Sequence, residues 1–173
     1  MKSKWAWAFL VGVVGVALYA GNVLATPTSG VTTTILGKAT LGDLSLIAHA
    51  TTTTPGSPRP TGIWLTMIRT FGQSDLYVVD NKFAPGSTTG WHSHPGPSLV
   101  LVTAGTLTNY SSEDPTCSPQ VYTAGQSFID TGGSDSHMVR NEGSVPAEDI
   151  AVQFLPKDAV RKSDAPAPAG CHS

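Results

Sequence analysis

The stretch GWHSHPGPSLVLVTAG, residues 90–105, places two histidines two positions apart, before a Pro-Gly-Pro break and a run of alternating aliphatic residues. Successive side chains of an extended strand point to opposite faces, so residues i and i+2 share a face. His92 and His94 therefore point the same way, and Trp91 and Ser93 point the other way. Neutral imidazoles on one wall are good ligands for a transition metal when further donors lie nearby. This stretch predicts one side of a metal site.

The half of this stretch that follows the Pro-Gly-Pro break predicts a second strand. Ser98, Val100 and Val102 share one of its faces, and Leu99 and Leu101 share the other. Because strands that are buried on one face alternate in this way, we expect the whole stretch to form a hairpin-like pair with one inward-facing set of side chains.

A third donor is found in GQSFIDTGGSDSHMVRN, residues 125–141. His137 follows a Gly-Gly turn, begins another strand, and shares a face with Val139 and Asn141. A single histidine is more often structural than a ligand, but three histidines in two strand-and-turn motifs favour a metal site.

The rest of the chain also favours strands over helices. Charged residues make up 13% of the sequence, and the abundant threonine, valine and glycine suit strands and turns. Short β-branched and apolar runs bounded by turn-forming residues recur about ten times, with no convincing helix longer than a turn or two. These runs are VTTTIL (31–36), LSLIAH (44–49), GIWLTMIRT (62–70), DLYVVD (75–80), SLVLVTAG (98–105), GTLTNY (105–110), GQSFID (125–130), HMVRN (137–141) and EDIAVQFL (148–155).

The first histidine motif resembles that of the cupin superfamily, G-x5-H-x-H-x3,4-E-x6-G. Gly86, His92, His94 and Gly105 occupy its positions, and Ser98 stands where the family usually has its glutamate.

The second motif resembles G-x5-P-x-G-x2-H-x3-N of the same superfamily. Gly125, Gly133, His137 and Asn141 match it, with Thr131 in place of proline and one extra residue before the histidine. The resemblance covers roughly residues 75–156. It implies an all-β fold, the cupin-type double-stranded β-helix or jelly-roll barrel, in which the ligands of both motifs converge on one interior site.

The resemblance implies a divalent transition metal, Fe, Mn, Ni, Cu or Zn, bound by His92, His94 and His137. With Ser98 replacing the glutamate, this ligand set carries no formal charge. We therefore expect weaker and more pH-sensitive binding, since each imidazole must lose its proton near its reference pKa of about 6.5. Three-histidine iron sites occur in the family, notably in thiol dioxygenases.

Three further residues are accessory candidates. Asp135, two residues before His137, offers a replacement carboxylate, although its Gly-Gly-Ser-Asp-Ser setting is also typical of a solvated turn. Ser98 either hydrogen-bonds a metal-bound water or ligand, or is simply a small inward residue. Asn141 closes the second motif on the face of His137.

Other residues are weaker candidates for chemistry. His49 ends a strand beside a polar loop, and His172 is the penultimate residue. Trp91 and Tyr110 are expected to have structural roles, packing on the second sheet or on a partner subunit. No general base is identified, because the assignable inward positions are mostly valine, serine and asparagine.

The N-terminal residues 1–25 predict a signal peptide: Lys2 and Lys4 precede an apolar stretch that ends in small residues. A secreted or periplasmic domain follows from cleavage. The alternative is an uncleaved segment that tethers the domain to the membrane, the only case in which membrane contact is expected.

Composition and motifs divide the remainder into three segments. Residues 26–60 hold N-terminal strands and a Thr/Pro-rich loop, 61–157 the barrel core, and 158–173 an extended tail. Beyond residue 25 there are eight basic and twelve acidic residues, a net charge of −4. No basic patch is visible, which argues against a nucleic-acid partner.

Cys117 and Cys171 are the two cysteines of the chain. In an exported protein an even pair predicts a disulfide, here one that ties the C-terminus to a mid-chain loop. Two unpaired thiols are the alternative.

Three functions remain open from the sequence, because a fold does not decide function. The first is a metal-dependent enzyme, oxidoreductase or dioxygenase-like, acting on a small organic substrate. The second is a barrel that binds a small, sugar-like molecule without catalysis, and the third is a structural barrel. Cupin barrels commonly pair through sheet edges, so the resemblance also implies a homodimer.

Overall fold

The computed structural model describes residues 25–171, which fold into twelve β-strands without an α-helix. The predicted signal peptide, apart from its last residue, and His172 lie outside these residues. In the described part of the chain, no helix is long and apolar enough to cross a membrane. The strands are β1 Ser29–Leu41, β2 Ser45–Thr52, β3 Gly62–Arg69, β4 Ser74–Thr88, β5 His92–Ser93, β6 Ser98–Ala104, β7 Thr106–Ser111, β8 Gln120–Thr123, β9 Ser127–Asp130, β10 His137–Arg140, β11 Ala147–Pro156 and β12 Ser163–Asp164.

Ten of these strands form one antiparallel sheet that curls into a nearly closed barrel. Its main path runs β12-β5-β10-β4-β11-β6-β9, with β1 added on β4, and with β7 linking β10 to β8. The predicted all-β jelly-roll architecture is confirmed.

The barrel core follows from strict alternation along the strands. On β11 every second residue from Ala147 to Leu155 is buried, and the residues between them are half-buried. On β6 Ser98, Val100 and Val102 face inward and Leu99 and Leu101 outward, as predicted. Burying one such valine or leucine side chain stabilises the fold by about 1.5–3 kcal/mol. The core cluster comprises Tyr77, Val79, Phe83, Val100, Val102, Leu107, Phe128, Val139, Ala147, Ala151 and Leu155.

The predicted hairpin across the Pro-Gly-Pro break does not form. β5 pairs with β10 and β12, whereas β6 pairs with β11 and β9. Pro95 and Pro97 have no N–H group to continue a ladder, and the Pro97 carbonyl instead accepts a bond from the Phe154 N–H at 3.1 Å. The break therefore carries the chain from one part of the barrel wall to another.

The tail after β11 is held against the barrel. The predicted disulfide between Cys117 and Cys171 is present, with their Cα atoms 5.5 Å apart. Upstream of it, β12 pairs with β5, and the Ala165 N–H donates to the carbonyl of Trp91 at 2.8 Å. The side chain of Trp91 is fully buried within the chain itself. The tail therefore covers the strand that carries His92.

A second, two-stranded sheet is formed by β2 and β3. Several of its large apolar side chains, including Ile47, Ile63 and Met67, are more than half exposed. Neither of its strands pairs with a strand of the ten-stranded barrel, so the barrel alone positions the histidines.

Candidate metal centre

The structure brings the three predicted ligands together inside the barrel. His92 and His137 are direct register partners between β5 and β10, and His94 follows just beyond the end of β5. All three side chains are buried. One ring nitrogen of each lies within 4.8 Å of those of the other two, and the ring centroids are 4.4–5.6 Å apart. These residues have the composition and spacing to hold a metal ion.

Backbone carbonyls fix the orientation of the two rings on the first motif. Nδ1 of His92 lies 2.9 Å from the Gly90 carbonyl, and Nδ1 of His94 lies 2.6 Å from the Arg161 carbonyl. Because a carbonyl oxygen only accepts, each Nδ1 carries the hydrogen and each neutral ring keeps its Nε2 lone pair free. The amide Nε2 of Gln153 is also near His94 Nδ1, at 3.4 Å, but the shorter carbonyl contact sets the tautomer.

In His137 a side-chain oxygen, not a backbone carbonyl, sets the same tautomer. Its Nδ1 lies 3.1 Å from Oδ1 of Asn109 on β7, and the amide nitrogen of Asn109 donates to Gln120 at 3.5 Å. The Asn109 oxygen therefore accepts from His137. Nε2 of His137 is buried and has no hydrogen-bond partner among the described residues. An unprotonated, unsatisfied imidazole nitrogen is the donor that a transition metal requires.

Burial keeps all three rings neutral. It is the largest cause that lowers the pKa of His92, His94 and His137 below the ordinary value for histidine. The Asp130 carboxylate raises the pKa of His94 and of His137, but burial has the larger effect and both pKa values stay below the ordinary one. The assumption that each ring loses its proton near pH 6.5 is therefore wrong, because the folded protein favours deprotonation at lower pH.

The histidines line one part of an interior cavity of about 80 Å³, enough for a few water-sized atoms. Its wall combines apolar side chains with several polar ones. Apart from the histidines, the lining residues are Thr28, Val31, Thr33, Asn81, Phe83, Thr89, Ser98, Val100, Phe128, Val139, Asp149, Ala151, Gln153, Arg161 and Lys162.

The accessory candidates lie in different places. Ser98 is buried in the cavity wall, where its Oγ accepts a hydrogen bond from Gln153 at 2.9 Å. Asp135 is half-buried in the turn before β10, accepts from Thr131 at 3.3 Å, and is not part of the cavity lining.

Asn141 is buried but serves the backbone. Its Nδ2 donates to the carbonyls of Phe83 and Val145, at 3.2 and 2.8 Å, and its Oδ1 accepts from the Gly143 N–H at 3.0 Å. It fixes the loop between β10 and β11 and does not line the cavity.

The cavity also contains an acid that sequence reasoning missed. Asp149 on β11 is buried, and burial is the main cause that raises its pKa to about 7, although a hydrogen bond from Asn81 acts the other way. From the sequence, no general base was named among the inward positions that could be assigned, and Asp149 adds an acid to them. The signal was available, because strict alternation from Ala147 places Asp149 and Gln153 on the inner face.

Asp130, the last residue of β9, was also missed. Its Oδ2 lies 3.7 Å from Nε2 of His137, and the side chain is buried. The run GQSFID predicts the strand, and its alternation with the buried Phe128 would have placed Asp130 inward.

No protein-family model and no curated protein sequence matches this chain. Among solved structures, the chain is similar to a double-stranded β-helix protein from Klebsiella pneumoniae, at 22% identity over 53% of this chain and 76% of that one, with a TM-score of 0.45. A cupin superfamily protein from Desulfitobacterium hafniense is similar at 11% identity over 64% of this chain and 78% of that one, with a TM-score of 0.40.

A conserved Streptococcus pyogenes protein of unknown function is similar at 17% identity over 47% of this chain and 66% of that one, with a TM-score of 0.40. The strand order gives the described residues a double-stranded β-helix fold, and their two histidine motifs resemble those of the cupin superfamily.

Proposed function

We propose that this protein binds a divalent transition metal ion through Nε2 of His92, His94 and His137. The observation that carries the proposal is that all three Nδ1 atoms lie within hydrogen-bond distance of oxygen acceptors, which leaves the three Nε2 lone pairs free in one cavity. Imidazole donors suit Fe, Ni, Cu and Zn, with Mn a further candidate once a carboxylate is added.

We further propose that the metal centre serves an oxidoreductase, dioxygenase-like in type, that acts on a small organic molecule. A bound ion of this class supplies Lewis acidity and, for Fe, Mn or Cu, a change of oxidation state. The apolar wall formed by residues such as Phe83, Val100 and Phe128 limits water around the histidines. The small cavity supports a substrate of few atoms.

Asp149 is the residue best suited to proton transfer in this cavity. A carboxyl group with a pKa of about 7 exchanges its proton near neutral pH, which is where a general acid or base is most effective. Asn81 donates to its Oδ1 at 2.8 Å, and Thr33 donates to the Asn81 amide oxygen at 2.8 Å, so its orientation is fixed.

We place the mature protein outside the cytoplasm, secreted or periplasmic, with residues 1–25 removed. The disulfide between Cys117 and Cys171 is consistent with an oxidising compartment. The homodimer that the resemblance implies stays a prediction.

Metal analysis of protein purified without a histidine tag tests the metal proposal. We expect about one transition metal ion per chain, lost in His92→Ala and in His137→Ala. His49→Ala is the matched control, because His49 is exposed on β2. Wild-type protein that binds no transition metal after incubation with each candidate ion would contradict the proposal.

Oxygen consumption by the loaded protein, screened against small hydroxy acids, thiols and sugars, tests the enzymatic part. Turnover with one of these substrates supports it. A thermal shift on adding a compound, without turnover of any, would favour the alternative of a non-catalytic binding barrel.

A further inference from the structure

We infer that Asp130 is the anionic ligand of the metal centre, entering from β9 opposite the position where Ser98 replaces the motif glutamate. This inference rests on the proposed metal-binding function. It replaces the expectation of an uncharged three-histidine set with a set of three imidazoles and one carboxylate.

The strand register turns the side chain of Asp130 inward, where it meets His137. On β9, Phe128 and Asp130 are buried whereas Ser127 and Ile129 are exposed, so Asp130 faces the barrel interior. Its direct partner across the β6–β9 pair is Ser98. Serine carries no charge, so the Asp130 carboxylate on the neighbouring strand meets no competing anion at that position.

The two oxygens of Asp130 have different environments. Oδ1 accepts the Gly132 N–H at 3.2 Å, which fixes the carboxylate plane. Oδ2 is buried and has no hydrogen-bond partner among the described residues. A buried acceptor without a partner is destabilising, so a structure that keeps one requires an explanation.

The explanation is the neighbouring unsatisfied acceptor. Oδ2 of Asp130 faces Nε2 of His137 at 3.7 Å, and this nitrogen is unprotonated because Nδ1 donates to Asn109. Two lone pairs thus face each other in a buried place with no hydrogen between them. A cation placed between the two atoms satisfies both.

The separation also fits ligation. Two donors held about 2.1 Å from one ion at the tetrahedral angle lie about 3.4 Å apart, close to the observed 3.7 Å. The carboxylate also lowers the net charge that a divalent ion brings into the barrel from +2 to +1. This reduces the cost of burying the ion away from water.

A competition titration tests the inference. Metal-free wild-type protein, Asp130→Asn, His137→Ala and the control Glu113→Gln, an exposed carboxylate in the β7–β8 loop, are titrated with Zn²⁺ against a chromophoric chelator at pH 7.5. We expect Asp130→Asn to lower the Zn²⁺ affinity by about 10- to 100-fold and Glu113→Gln to leave it unchanged. Asp135→Asn, which removes the other carboxylate near His137, is also expected to leave it unchanged.

The visible spectrum of the Co²⁺-loaded protein provides a second measurement, because the ligand field depends on which groups bind. We expect the wild-type spectrum to change in Asp130→Asn. Thermal unfolding of the metal-free variants checks folding, and Asp130→Asn should be no less stable than wild type, since it removes a buried charge with an unpartnered oxygen.

The outcomes separate this inference from the proposed function. If wild-type protein binds neither Zn²⁺ nor Co²⁺ nor any other candidate ion, the proposed function fails. If wild type binds and His137→Ala does not, while Asp130→Asn keeps the affinity within twofold and the same Co²⁺ spectrum, then Asp130 is not a ligand and this inference is overturned. A loss in Asp135→Asn with Asp130→Asn unaffected overturns it as well.

Discussion

Ser98 and Asp130 lie directly opposite each other in the antiparallel pair of β6 and β9, and both side chains are buried. Ser98, which departs from the cupin-like motif, thus has two direct cross-strand partners, Gln153 on β11 and Asp130 on β9, and the second is a carboxylate that the motif does not contain. Gln153 donates to the Ser98 hydroxyl at 2.9 Å, so the position is filled by a hydrogen-bonded network. The strand with serine at the glutamate position of the motif is therefore paired with a strand that carries a carboxylate.

Gln153 joins the two sides of this network, and we expect Gln153→Leu to destabilise the protein. Its amide nitrogen donates to Ser98, and its Oε1 accepts from the Arg161 guanidinium at 3.2 Å. Leucine would remove the partner of the buried Ser98 hydroxyl and of the half-buried Arg161 guanidinium, which costs about 1–3 kcal/mol in the free energy of unfolding. Urea denaturation measures the change.

The same variant also reports on His94, whose Nδ1 donates to the Arg161 carbonyl. If Gln153 helps to hold Arg161 in place, Gln153→Leu should lower Zn²⁺ affinity several-fold as well. Thr53→Leu, at an exposed loop position, is the control for adding an apolar side chain. Equal stability of Gln153→Leu and wild type would show that the network contributes nothing.

Asp149 predicts a specific dependence of stability on pH. Its pKa in the folded protein is raised from 3.8 to about 7, so between these values the folded state holds a proton that the unfolded state has lost. Its contribution to stability is therefore present at acidic pH and is lost as the pH rises through 7. The negative charges of Asp80 and Glu148 act in the same direction on this pKa.

Asp149→Asn removes this titration and retains an oxygen that accepts the hydrogen bond from Asn81. We compare the free energy of unfolding of the variant with that of wild type at each pH. We expect this difference to favour the variant by about 2–4 kcal/mol more at pH 8 than at pH 4. Unfolding of the metal-free proteins at both pH values measures the gain, and the histidines titrate equally in both proteins. The same stability difference at pH 4 and at pH 8 would rule out a raised pKa.

The disulfide predicts a loss of stability on reduction. A cross-link between positions separated by 54 residues restricts the unfolded chain by about 4 kcal/mol in the chain-entropy model. We expect Cys117→Ser/Cys171→Ser to lose up to this amount of unfolding free energy. The tail should also become accessible to protease, because its end is released. Wild-type protein whose denaturation midpoint is unchanged by a reductant would contradict this prediction.

The sequence predicted the barrel well because the signals are local. Alternation fixed the inward set Ser98, Val100 and Val102 and the strand that begins at His137. The pairing of β5 was not predictable in the same way. Its partners, β10 and β12, lie far along the chain. They pair with β5 in place of the local hairpin partner that the Pro-Gly-Pro break suggested.

The site was predicted less completely than the fold. The histidines belong to motifs, but the groups that orient them come from distant segments: the Arg161 carbonyl holds His94, and Asn109 holds His137. Every residue has a backbone carbonyl, so the residue type at position 161 does not indicate that its carbonyl binds His94. The inward direction of Asp130 was predictable, since buried and exposed residues alternate along its strand. Its closeness to His137 depends on the tertiary fold.

The Gly132-Gly133 pair before β10 provides a matched test of how the turn supports Asp130. Both glycines have positive φ, 70° and 79°, so a side chain is strained at either position. A Cβ on Gly132 would overlap the backbone carbonyl of Gly96, whereas a Cβ on Gly133 meets no atom within 4 Å. We therefore expect Gly133→Ala to cost about 1–2 kcal/mol of unfolding free energy and Gly132→Ala to cost about 1–3 kcal/mol more.

The difference extends to the metal site, because the Gly132 N–H donates to Asp130 Oδ1. Displacing this backbone should move the carboxylate, so Gly132→Ala should also weaken Zn²⁺ binding, and Gly133→Ala should weaken it less. Chelator competition on both variants, at a temperature where melting curves show each to be folded, measures the effect. Equal stability and equal affinity in the two variants would mean that the close packing of Gly132 against Gly96 does not support the position of Asp130.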